Sequence, residues 1–72
     1  MFTIRTNILG VFNGFNKGRL FQLANGQLWK QVDDVYQYHV IHSPKVEIYS
    51  TFDGFRMSVE GISQQIAVRR KS

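Results

Sequence analysis

Seventy-two residues, 43% hydrophobic and 19% charged, make one small folding unit over 1–72, too apolar for the disordered class and too short for a second domain. Nine Lys and Arg against five Asp and Glu leave a formal charge of +4, and zero cysteines exclude disulfides, Cys-based zinc sites, iron–sulfur ligation and thiol nucleophiles. A chain of this size buries only about 60% of its unfolded surface, which weighs against a substrate cleft together with the supporting side chains that catalysis needs.

The opening run Met1-Phe2-Thr3-Ile4-Arg5-Thr6-Asn7 has no apolar signal-peptide core, and no stretch approaches the roughly 18 apolar residues of a membrane span. The expectation is a soluble, cytoplasmic chain; the alternative is an exported domain of a longer protein. Residues 1–6 either extend the first strand or fray. Ile8-Leu9-Gly10-Val11-Phe12 is read as that first long strand, with Gly10 marking a close approach of another backbone or a bulge.

Turn signals then recur at Asn13-Gly14, Lys17-Gly18, Asn25-Gly26, Asp53-Gly54 and Glu60-Gly61, the spacing of successive hairpins. Leu20–Leu23 and Leu28–Val32 flank Asn25-Gly26, whose residues tolerate the positive φ of a tight turn. On that hairpin Trp29 is out of phase with Leu28 and Val32, so either Trp29 with Gln31 or Leu28 with Val32 faces the core.

Asp33–Ser43 is ambiguous: Asp34 suits a helix N-cap, while Tyr36, Tyr38 and Val40 alternate as a strand would. The β-branched and aromatic content favours a loop or irregular extended segment. Pro44 opens the next strand, where a missing N–H costs least. Val46 and Ile48, then Phe55, Met57 and Val59, then Ile66 and Val68 alternate with polar or small residues, each set marking one core-facing strand face.

Five or six short antiparallel strands in so few residues cannot build two sandwich sheets. A strongly bent sheet that nearly closes hides its edges and shares one core, so the expected fold is all-β, a small SH3-like barrel. An OB-like barrel is the alternative; its helix would have to occupy 33–43.

For function, the same residues exclude more than they assign. The glycines match neither a P-loop nor a dinucleotide fingerprint, no serine sits in a nucleophile elbow, and Asp33 with Asp34 point to opposite faces of a strand, so the reading is a non-enzyme without cofactor. His39 and His42 lack a third ligand and are not read as a metal site. Phe15, Trp29, Tyr36, Tyr38 and Tyr49 are the candidate surface for a protein or peptide partner, a groove of the kind small barrels offer to extended ligands, although a core role for Trp29 is the stronger reading. Arg69-Arg70-Lys71, with rings such as Phe15, Tyr36, Tyr38, Tyr49 and Phe52, are candidate phosphate contacts of a nucleic-acid surface, though no RNP, GXXG or zinc-finger pattern accompanies them. The leading expectation is therefore a non-catalytic protein-interaction or structural module, and the alternative a nucleic-acid-binding barrel.

Phe21-x-Leu23-x-Asn25-Gly26-Gln27-x-Trp29-x-Gln31 resembles a group of small bacterial domains of unknown function, often attached to secreted or lipoprotein-like chains, that share an F-x-L-x-N-G-Q-x-W-x-Q segment. Gly10–Phe15 resembles their G-x-F-x-G-W, with Phe15 where a tryptophan is usual. Pro44–Ile48, Gly54–Gly61 and Ile66–Arg70 are similar to their later strands. The resemblance spans roughly residues 8–70 and implies an all-β barrel; it implies no activity.

Overall fold

The computed structural model describes residues 3–72. Eight strands follow in chain order: β1 (Thr3–Asn7), β2 (Val11–Phe15), β3 (Leu20–Gln22), β4 (Leu28–Gln31), β5 (Gln37–His42), β6 (Lys45–Thr51), β7 (Gly54–Val59) and β8 (Ile66–Arg70). Six form one antiparallel sheet in the order β1-β6-β7-β8-β4-β3, and β2 with β5 makes a separate two-stranded ribbon. The protein is all-β, as its alternating segments require.

The strands beyond the expected five or six arise where the N-terminal segment divides into β1 and β2 and where the ambiguous stretch forms β5. The segment 8–12 is not one strand: Gly10 takes φ +75°, and a Cβ there would meet nothing within 4 Å, so this glycine turns the backbone and serves no close approach. Chain on one side becomes β1 and on the other β2. Opposite it, Ser43 takes φ +50° beside Pro44. Ile8 N–H donates to Pro44 O at 3.0 Å and Ser43 N–H to Gly10 O at 2.8 Å, so the β1–β6 and β2–β5 ladders are one long antiparallel pair bent at these two points. The ambiguous stretch divides likewise, with 33–36 irregular and β5 strand, and no helix fills the slot an OB-like barrel would use.

The bend curls the large sheet toward closure. An isolated bridge joins Ile8 to Leu23, while Leu9 N–H donates to Gln22 O and Ala24 N–H to Asn7 O, both at 2.8 Å. Edge strand β3 is thereby drawn against the β1–β2 corner, and the result is a half-barrel capped by the ribbon.

The concave side holds the core that the period-two alternation predicts. Ile48 pairs with Met57, Met57 with Ile66, and Phe21 with Trp29, all buried, while Arg5, Glu47 and Arg56 take the outer face. Phe12 stacks edge-on to Phe15 with ring centres 5.4 Å apart and lies 6.0 Å from Phe21, which fastens the ribbon to the core.

The Asn25-Gly26 hairpin forms with a three-residue loop. Leu23 and Gln27 close it (N–H to O, 2.9 Å), Gly26 alone carries the positive φ (+91°), and Asn25 contributes its side chain, whose Oδ1 accepts Gln27 N–H at 3.0 Å. Asn13-Gly14, by contrast, marks no turn: Gly14 lies inside β2 and faces Tyr38.

Candidate functional site

The five candidate aromatics do not share one surface: Phe15 and Trp29 are buried, Tyr49 lies on β6 of the large sheet, and Tyr36 and Tyr38 are exposed beside and on the separate ribbon. Trp29 is 1% exposed and Phe15 1%, so neither reaches a partner. Alternation on β4 sends Trp29 and Gln31 inward together, leaving Leu28 half-buried and Val32 exposed. The Trp29 ring meets Phe55 edge-on at 5.2 Å and its Nε1–H donates to Gln27 Oε1 at 3.0 Å, so its polar edge is satisfied locally by a side chain. Tyr49 sits half-buried on the outer face of β6, paired with Arg56 across the ladder, and its hydroxyl donates to Gln65 Oε1.

Beside the tryptophan, Gln31 is fully buried and fully bonded. Its Oε1 accepts Asn16 N–H at 2.8 Å; its Nε2 donates to Asp33 Oδ1 at 3.0 Å and Val35 O at 2.7 Å. Asp33 Oδ2 accepts Ala67 N–H at 2.8 Å, so this carboxylate ties the irregular 33–36 stretch to β8. Asp33 is thus structural, and Asp34 beside it is exposed and takes no part. No group of three His, Cys, Asp or Glu side chains able to hold a metal occurs among the described residues.

Two surfaces remain. The first is the ribbon. Tyr36 and Tyr38 are each 72% exposed, and Val11, Val40, Leu9 and the nearby Leu20 about half exposed. Among the described residues, β5 pairs with β2 on one edge and with no strand on the other. From Val35 to Pro44 the chain carries no Lys, Arg, Asp or Glu, so none of the charges that commonly guard a strand edge is present. A register shift between Phe12 and Gly14 bulges the ribbon, leaving His39 and Val40 both exposed.

The second surface is basic. Arg56 faces Ala67 across the β7–β8 ladder, and Arg69, two residues further along β8, faces Lys30 on β4. All point outward, opposite to the buried Met57 and Val68. Arg56, Arg69 and Asp53 border a concavity of about 300 Å³ whose floor includes Gly54 and Ala67, residues too small to fill it; Arg70, in register with the inward-facing Trp29, has the opposite parity, and its Nε–H donates to Ser72 O at 3.3 Å. The only ion pair among the described residues is Arg5 with Glu47, 2.8 Å apart and elsewhere on the sheet. Asp53 accepts from Thr51 Oγ1 at 2.9 Å. Lys71, predicted with Arg69 and Arg70, lies past the end of β8 with its N–H on Leu28 O at 2.7 Å, outside the concavity. Arg56 and Arg69 lie thirteen positions apart in the chain, and the antiparallel pairing of β7 with β8 brings them within reach of one another.

A scan against protein-family models gives no match, and comparisons with the curated proteins and with the solved structures likewise find none.

Proposed function

We propose that the chain is a non-catalytic protein-interaction module, an SH3-like barrel of the group that its F-x-L-x-N-G-Q-x-W-x-Q segment resembles, and that it meets its partner through the β2–β5 ribbon. The observation that supports this reading is the edge of β5, which among the described residues has no partner strand and presents the exposed Tyr38 and Val40. An extended segment of another protein gains main-chain hydrogen bonds along such an edge and apolar contacts from the exposed side chains. Tyr36 and Tyr38 keep their place in the expected contact surface, and Phe15 anchors the ribbon from within through Phe12.

A photoreactive phenylalanine analogue at position 38, introduced in producing cells, tests the proposal, with the same group at Ser58 on the outer sheet face as the control. A discrete adduct from position 38 that is absent from position 58, lost in Val40→Lys, and accompanied by slowed amide exchange in β5 when the adduct protein is mixed with the purified domain supports the ribbon. An adduct of twice the chain mass identifies the partner as a second copy. Equal labelling from both positions, or an adduct indifferent to Val40→Lys, overturns it.

A further inference from the structure

We infer that the basic concavity on the outer face of β7 and β8 is a second binding site, distinct from the ribbon, and that it takes a segment of single-stranded nucleic acid. Three features of the fold converge there. The first is charge: Arg56 and Arg69 stand on the outer face beside one depression against a single carboxylate, Asp53, and among the described residues neither arginine is ion-paired. Guanidinium groups held near one another without counter-charges repel, so an anion entering between them relieves that repulsion and gains charge-assisted hydrogen bonds.

The second feature is shape. Gly54 and Ala67 lie between the arginines where larger side chains would fill the outer face, leaving about 300 Å³, room for a phosphate with its sugar and not for a duplex. The third is an exposed ring. Phe52 stands at the tip of the β6–β7 turn, next to Asp53 on the rim, with its side chain wholly in solvent. An apolar ring held out at a hairpin tip buries nothing within this chain. Beside phosphate-sized basic space it offers a face on which an unstacked base can lie, the combination of cationic track and stacking platform that binds single strands without reading their sequence. An acidic peptide would use the arginines equally well and would leave Phe52 without a role, which is why the nucleic acid is favoured.

Fluorescence anisotropy of a labelled twelve-nucleotide oligothymidine, titrated with the intact chain at about 20 mM and about 200 mM salt, tests the inference. The expected result is binding at low salt that weakens steeply with salt, with the slope of log K against log salt falling by about 0.7 for each of Arg56→Ala and Arg69→Ala. Phe52→Ala is expected to weaken binding roughly tenfold while leaving the slope unchanged, because stacking is not electrostatic. Lys17→Ala, in the turn before β3, is the control for dispersed charge and lowers neither quantity by as much. All four residues are partly or fully exposed, and circular dichroism of each variant checks that it folds. No binding at low salt overturns the site, as does binding that Lys17→Ala weakens as much as Arg69→Ala. Binding of polyglutamate equal to that of oligothymidine, with Phe52→Ala without effect, also overturns it and identifies an acidic protein segment as the ligand. None of these outcomes bears on the ribbon, whose test reads a different face.

Discussion

Gly14 is the residue at which the ribbon depends most sharply on a missing side chain. A Cβ there would lie 2.0 Å from Gln37 O and 2.9 Å from His39 N, both backbone atoms of the facing strand, and the residue also holds φ +112°. Neither neighbour can rotate away, so Gly14→Ala must part β2 from β5, and a loss of about 3 kcal/mol or more is expected from urea unfolding. Gly18 provides the contrast, with φ +85° and open space around its Cβ position. Gly18→Ala is expected to cost only the left-handed backbone penalty, about 1–2 kcal/mol. Equal effects of the two substitutions would show that backbone conformation, not the approach of β5, governs position 14. Gln31 depends instead on what its side chain supplies. Replacing it with Leu keeps the bulk and leaves Asn16 N–H and Val35 O without their partner, at about 1–3 kcal/mol for each buried group. Stability of Gln31→Leu within about 0.5 kcal/mol of the parent would mean that water replaces the amide at both groups.

At the scale of elements, the hairpin around Asn25-Gly26 carries a prediction that separates its two turn residues. Gly26 needs the left-handed conformation and Asn25 does not, so Gly26→Ala should cost about 1–2 kcal/mol, whereas Asn25→Ala loses one side-chain hydrogen bond, worth about 1 kcal/mol. A larger cost at Asn25 in chemical denaturation would place the strain at the wrong residue. The flanking strands were readable because two short apolar-rich runs bracket the Asn25-Gly26 turn signal. At Leu28–Val32 both parities contain a large apolar side chain, and the sequence leaves the choice between Trp29 and Leu28 to the fold. Trp29 goes inward because Phe21 faces it across β3–β4 and Phe55 comes edge-on from β7, a contact over 26 residues of chain that local pattern cannot reveal. The division at Gly10 was hidden for a related reason: a glycine inside an apolar run signals a turn, a bulge or a close neighbour alike, and only the pairing of residues 8–10 with 43–44 decides. The same limit applies to the two surfaces. Tyr36, Tyr38 and Val40 stand exposed together because β5 gained no second partner among the described residues, and Arg56 joins Arg69 because β7 and β8 pair in one particular register.

For the whole molecule, the question is whether the ribbon folds with the half-barrel or on its own. Its ladder belongs to a separate sheet, yet β2 contributes Phe12 and Phe15 to the same buried cluster as Ile48, Met57 and Ile66, and Asn16 at its end is held by Gln31 from β4. A two-stranded ribbon has little stability alone, so the aromatic pair and the bent β1–β2 connection should tie it to the sheet in one cooperative unit. Urea unfolding followed by Trp29 emission, which reports the sheet interior, and by far-ultraviolet circular dichroism, which reports all eight strands, should therefore give one midpoint. Phe12→Ala sharpens the test: it removes a buried ring from the ribbon side and is expected to lower the common midpoint by the equivalent of about 3–5 kcal/mol, carrying the Trp29 signal with it. If circular dichroism in that variant falls first while Trp29 emission stays blue-shifted, the ribbon opens independently. The β5 edge would then be a mobile flap on a stable half-barrel, and a partner strand would have to order it at a cost in affinity.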